Sequence, residues 1–179
     1  MILVIDFEST CEEGRPAGYP SHIIEIGAVW ATPQGEALDT LRVVVQTEIP
    51  ITPFCTGLTG LTQSDVNAGL TYAQAMQALA EFASRYSDEV WASWGKSDLH
   101  SLEIDCAKHR VESPLKDWTH RNLKKEFVKA RRAKPQMGLK KACEIAGFEM
   151  DGRPHSALPD ALNTIRFLPH IAAACDMRD

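Results

Sequence analysis

The chain opens with short runs of β-branched and aliphatic residues and then passes into stretches whose apolar positions recur every three or four residues. Ile2–Phe7 is a compact apolar run and predicts a buried strand. Ile23–Trp30 and Leu41–Gln46 are similar runs on either side of Thr32-Pro33-Gln34-Gly35, a turn signal, so a hairpin or meander is expected. Residues 50–71 carry Pro50, Pro53, Gly57, Gly60 and Gly69 among several Ser and Thr. They predict a structured loop with one short helical turn over Gln63–Asn67. In Tyr72–Tyr86 the apolar Ala75, Met76, Leu79, Phe82 and Ala83 fall at helical spacing, the pattern of an amphipathic helix. Val90–Trp94 reads as a strand, Asp98–His109 as a helix with Leu99, Leu102, Cys106 and Ala107 on one face, and Asp117–Thr119 as a short strand. Asn122–Arg132 and Leu139–Ala146 read as helices, the second closed by Gly147. Ala157–Cys175 reads as a last, largely apolar helix that Pro169 should bend or interrupt.

Three strands, a helix, a strand, a helix, a short strand and then helices predict an α/β fold, a mixed sheet with helices packed on its faces. The 179 residues are 44% hydrophobic and 24% charged, which suits one globular domain with a sizeable core. No internal linker stands out, so residues 1–179 are expected to form a single domain. No apolar run approaches the ~18 residues of a transmembrane helix, and Met1–Ile5 has no basic leader before Asp6. Neither a membrane span nor a signal peptide is therefore expected. Cys11, Cys55, Cys106, Cys143 and Cys175 are odd in number and widely spaced, unlike a disulfide framework or a zinc knuckle. A reducing, cytoplasmic setting is the simplest expectation.

Net charge is −5, but it is unevenly placed. Residues 119–143 contain Arg121, Lys124, Lys125, Lys129, Arg131, Arg132, Lys134, Lys140 and Lys141 against the single acid Glu126, a local charge of +8. Residues 144–179 carry −3, and the first 118 residues carry −10. A basic segment on an acidic body can receive a polyanion while a cation neutralises acids elsewhere, or it can be a solvated helix face.

Asp6 and Glu8 flank Phe7 at the end of the first strand. Strand side chains alternate, so the two carboxylates share a face and Phe7 takes the other. Two acids ending a buried strand either face water or hold a hard divalent cation. Asp98 opens a helix, where an N-cap role competes with a functional one. His155 sits on a Gly-Pro-containing loop entering the last helix, and Asp160 follows in its first turns. Four carboxylates and a histidine at strand ends and helix starts form the set needed for phosphodiester hydrolysis with two metal ions. Oxygen ligands suit Mg²⁺ or Mn²⁺, and a neutral histidine can take a proton from water.

Three motifs carry a resemblance: Asp6-Phe7-Glu8-Ser9-Thr10-Cys11-Glu12-Glu13, Trp94-Gly95-Lys96-Ser97-Asp98, and His155-Ser156-Ala157-Leu158-Pro159-Asp160-Ala161-Leu162-Asn163. In these the sequence resembles the DEDDh branch of the DEDD 3′→5′ exonucleases. The first motif, Ile23-Ile24-Glu25-Ile26-Gly27 and Phe54-Cys55-Thr56-Gly57-Leu58-Thr59-Gly60-Leu61 are similar to the subgroup that trims histone-mRNA 3′ ends and small RNAs. The resemblance implies a ribonuclease H-like fold with a mixed five-stranded sheet flanked by helices. It implies that Asp6, Glu8 and Asp160 hold one ion, that Asp6 and Asp98 serve a second, and that His155 is the general base. Phe7 and Leu58 would contact the terminal nucleotide. In that setting Lys124 and Lys125 would follow the phosphates of single-stranded RNA or, less favoured, DNA entering by its 3′ end. Ser97 stands where the family often has an aromatic residue and Pro159 where the subgroup often has an acid; both are expected to line the cleft. Two other readings are a proofreading or RNA-processing subunit acting mainly through a protein partner, and a catalytically silent nucleic-acid-binding module.

Overall fold

A computed structural model describes residues 1–14, 16–132 and 137–176; Lys134 of the basic segment lies outside them. Five strands, β1 (Ile2–Ser9), β2 (Ile23–Ala31), β3 (Ala37–Val44), β4 (Val90–Ser93) and β5 (Thr119–Asn122), form one sheet in the order β3-β2-β1-β4-β5. β2 runs antiparallel to β1 and β3, while β4 and β5 run parallel to β1. The helices are α1 (Pro53–Thr59), α2 (Gln63–Asn67), α3 (Tyr72–Ala83), α4 (Ser97–His109), α5 (Leu123–Arg131), α6 (Leu139–Ala146), α7 (Ala157–Ile165) and α8 (Leu168–Asp176).

The alternation of β1 divides the core. Leu3, Ile5 and Phe7 pack on one face against Met76, Leu79 and Phe82 of α3 and Leu102 and Cys106 of α4. Ile2 and Val4 pack on the other face with Phe127 of α5, Cys143 of α6, Ile165 of α7 and Ile171 of α8. Asp6 and Glu8 continue the second set, so polar side chains replace apolar ones where β1 reaches the end of the sheet. Burial at these core positions is nearly complete; Leu3, Val4 and Ile5 are all 0% exposed. At ~1.5–3 kcal/mol for each large apolar side chain, this burial dominates the stability of the sheet.

Gly27 is an obligatory small residue. A Cβ there would lie 2.1 Å from the carbonyl carbon of Ala157 and 2.2 Å from the amide nitrogen of Leu158. The first turn of α7 therefore lies directly on β2, which brings Asp160 toward the end of β1.

Several boundaries differ from the sequence expectation. The 50–71 loop contains α1 as well as α2. Thr52 caps α1 by accepting from the Cys55 amide, Pro53 opens it, and Gly60 ends it with φ 86°. These are ordinary start and stop signals, obscured by Gly57 in the helix middle. The third strand begins at Ala37, four residues earlier than Leu41, because it is an edge strand whose first half is largely exposed and lacks an apolar alternation. The fifth strand is Thr119–Asn122 rather than Asp117–Thr119, again a polar edge strand. Asn122 ends it and caps α5 by accepting from the Lys125 amide at 2.9 Å. The last helix divides into α7 and α8, with Pro169 in the first turn of α8, where its missing N–H costs nothing. Gly147 closes α6 in the left-handed conformation, as expected.

Candidate active site

The carboxylates come from three elements that meet at the end of β1. Asp6 and Glu8 project from that strand. Asp98 sits in the first turn of α4 after Gly95, which adopts φ 126° to turn the chain out of β4. It does not cap the helix: the N-cap position is Lys96, and Asp98 Oδ1 accepts instead from the Phe7 amide at 3.1 Å. That bond fixes the start of α4 to the strand carrying the other two acids. Asp160, in the first turn of α7, accepts from the His155 amide through Oδ2 at 3.1 Å.

Glu8, Asp98 and Asp160 are 8%, 6% and 8% exposed. Such crowding disfavours ionisation, first by loss of water and then by mutual repulsion. Burial, then Asp98, Glu8, Asp160 and Glu25, hold the Asp6 carboxyl well above its ordinary range. Glu8 is pushed up to about 8 by burial, then by Asp160, Glu25 and Asp98. Burial raises Asp160 to about 6, although the His155 amide and imidazole oppose the rise. Asp98 is raised by burial, with the Phe7 amide and the hydroxyls of Ser93 and Ser97 working the other way. The electrostatics thus place all four acids in one field.

His155 lies over this group. It has φ 59°, uncommon for a residue with a Cβ, and its side chain is exposed. Ligand-capable atoms of Glu8, His155 and Asp160 all lie within 4.8 Å of one another. Asp160 Oδ1 is buried without a hydrogen-bond partner. An orphaned carboxylate oxygen, raised acids and a donor set made mainly of carboxylate oxygens, with the imidazole beside them, fit a hard divalent cation. The cation would remove the penalty that the acids impose on one another.

The adjoining cleft has a volume of about 400 Å³. Phe7, Leu58, Ser97, Asp98, Glu8 and His155 line it, together with Cys11, Tyr19 and Ser101. Phe7 and Leu58, the two apolar candidates, thus share one cleft with the acids. Lys124 lies near the second motif, its Nζ within 3.4 Å of where a Gly95 Cβ would stand, while Lys125 is exposed; neither lines the cleft. Ser97 faces the cleft, but Pro159 packs beside Gly152 and is not among the lining residues.

Sequence reasoning missed Glu25. It is 0% exposed on β2, directly across from Glu8. Its Oε2 accepts from the Ala157 amide at 2.9 Å and its Oε1 from Arg42 Nε at 2.6 Å. Ser156 makes no capping bond with its side chain, so Glu25 satisfies the first turn of α7 from a distant strand. The signal was one acid within the apolar run Ile23–Trp30.

Clustered carboxylates at the carboxyl end of a central strand, with a histidine on the loop above, define a hydrolase site of the metal-assisted phosphoryl-transfer type. Residues 3–168 match the RNase_T exonuclease model, and the chain belongs to that family, in its DEDDh branch. It is 30% identical to the 3′-5′ exoribonuclease 1 of Rattus norvegicus and 32% identical to that of Homo sapiens, over 99% of this chain in each case. The chain spans about half the length of these curated relatives, 54% of each. The solved nuclease domain of 3′hExo bound to rAMP, a DEDDh family member, superposes with a TM-score of 0.85 at 30% identity, over 99% of this chain and 92% of that one. A 3′-exonuclease structure showing 3′-end-specific recognition of histone mRNA stem-loop gives a TM-score of 0.88 at 29% identity, covering 98% of this chain and 64% of that one. The five-stranded mixed sheet is that of these ribonuclease H-like neighbours. Divalent-metal dependence is general in this family.

Proposed function

We propose that residues 1–179 form one exonuclease domain that removes nucleoside 5′-monophosphates from the 3′ end of single-stranded nucleic acid, RNA in preference to DNA. The observation that carries this reading is the gathering of Glu8, Asp160 and His155 within 4.8 Å at the end of β1, where Asp98 is bonded to the Phe7 amide between Asp6 and Glu8, with Asp160 Oδ1 left unpartnered. The exoribonuclease names of the relatives support RNA. Asp6, Glu8 and Asp160 would hold one Mg²⁺ or Mn²⁺, and Asp6 with Asp98 a second. Such ions, when bound, supply positive charge for the phosphate oxygens and lower the pKa of water.

The protein's own groups do the rest. Phe7 and Leu58 receive the terminal nucleoside against apolar surface. The His155 imidazole takes the proton of the water that attacks phosphorus, and the ester oxygen on the upstream sugar leaves and is protonated. Lys124 and Lys125 hold upstream phosphates at the rim, through contacts that ignore sequence and weaken with salt. The four described cysteines are free, which supports a reducing, cytoplasmic setting.

Incubation of 5′-labelled RNA and DNA oligomers of matched sequence with Mg²⁺ or Mn²⁺ tests this reading. A ladder shortening stepwise from the 3′ end is expected, faster on RNA, and abolished in Asp6→Ala. Binding without turnover under either metal would instead make the chain a silent nucleic-acid-binding module.

A further inference from the structure

We propose that Arg153 is a positioning residue that latches the loop carrying His155 onto helix α1, so that the surface meeting the terminal nucleotide and the base are held as one unit. This rests on the exonuclease reading above. The Arg153 guanidinium donates from Nη2 to the carbonyl of Gly57 at 2.7 Å and to that of Thr56 at 3.4 Å. Both carbonyls belong to the last turn of α1: that of Thr56 already accepts from the Gly60 amide at 2.9 Å, while that of Gly57 lies where intrahelical donors run out and takes the shorter Arg153 bond. Leu58, the next residue, lines the cleft, and Cys55 of the same helix anchors it in a small core with Ile24, Leu61 and Val66.

The slot for the guanidinium exists because residue 60 is glycine. A Cβ on Gly60 would lie 2.8 Å from Arg153 Nη1 and 3.0 Å from Cζ, and its φ of 86° also favours glycine. On the other side of the latch, Pro154 has a ring-locked φ, which stiffens the backbone between Arg153 and His155. His155 itself is held at φ 59°. A sparsely populated backbone of this kind persists only where surrounding contacts determine it. Its own amide is tied to Asp160, and the Arg153 bond to Gly57 holds the chain two residues before it. The latch joins segments 96 residues apart in sequence and fixes His155 relative to the nucleotide surface rather than only to the acids.

The test compares wild type with Arg153→Ala and Arg153→Lys. On a labelled RNA oligomer with Mn²⁺, Arg153→Ala should lower kcat by about 10- to 100-fold with KM little changed, because a small misplacement of a reacting group has that effect. Arg153→Lys should recover part of the loss, since an ammonium still donates to the Gly57 carbonyl. The melting temperature should move little, because the latch lies on the exposed surface. Amide hydrogen exchange at Gly60 and at His155 should accelerate together in Arg153→Ala. A wild-type kcat overturns the proposal, as does a loss that only follows the unfolded fraction, or faster exchange at Gly60 with His155 unchanged. If the alanine variant does not fold, Arg153→Met, which keeps the stem but has no donor, decides: reduced kcat at unchanged KM and melting temperature supports the latch, and full kcat overturns it. The exchange measurement needs no turnover. Failure of the exonuclease reading therefore shows in the oligomer assay, and failure of the latch shows in the exchange.

Discussion

At the scale of single residues, the site depends on side chains whose value comes from what they lack. Asp160 keeps one carboxylate oxygen without a partner, and His155 projects from a strained backbone into the open cleft. Replacing His155 by Ala removes the proposed proton acceptor and leaves the acids in place. The expected result is a fall in kcat of about 10²-fold or more, with RNA binding in Ca²⁺ close to wild type. Single-turnover cleavage and a binding titration measure the two separately, and a full rate in the variant would remove the base role. Asp6, Glu8, Asp98, His155 and Asp160 could be singled out as candidates from the sequence because each sits beside a recognisable strand end or helix start. Glu25 and Arg153 could not, since their partners, Ala157 and Gly57, lie 132 and 96 residues away.

At the scale of elements, the close contact of β2 with α7 sets the site. Gly27 permits it and Glu25 holds it by satisfying the Ala157 amide. Gly27→Ala would force the α7 backbone away from the strand. It should cost about 3 kcal/mol or more, the upper range for overpacking, and should lower activity beyond the loss of folded protein because Asp160 moves with α7. Urea denaturation and kcat per folded molecule check the two parts; unchanged values would show that α7 can slide without consequence. Strands and helices with strong periodicity, such as β1, β2 and α3, were readable from pattern. The edge strands β3 and β5 were misplaced by a few residues, because half-solvated edges carry no alternation. Helix α1 was missed because it is short and carries Gly57 in its middle.

At the scale of the whole molecule, folding gathers negative charge at one end of an acidic body. The raised carboxyls give this a pH signature. Glu8 titrates near 8 rather than 4.5, and Asp160 near 6 rather than 3.8. Between those limits the folded chain binds more protons than the unfolded chain, so stability falls as pH rises. The contribution is intact below about pH 4 and is lost by about pH 8. With chelator present, the melting temperature should therefore decline across that window. Millimolar Mn²⁺ should raise it by about 5–10 °C at pH 8 if the ion stands near 100 times its Kd, and by less at pH 5, where protons compete for the ligands. Thermal scans at both pH values with Mn²⁺ or chelator decide this, and an unmoved transition at pH 8 would mean that the acids form no cation site.

The sequence by itself determined the order of the five strands along the chain and the face shared by Asp6 and Glu8, and it named Glu8, His155 and Asp160, whose ligand-capable atoms the fold brings within 4.8 Å of one another. Those features follow from local periodicity and from residue type, which neighbours in the chain express. Only the tertiary structure decided how closely α7 lies on β2, which acid caps it, where the lysines stand relative to the cleft, and what restrains His155. Each of these is a contact between distant segments. Its geometry is set by the packing of the entire sheet, so no local stretch of residues records it.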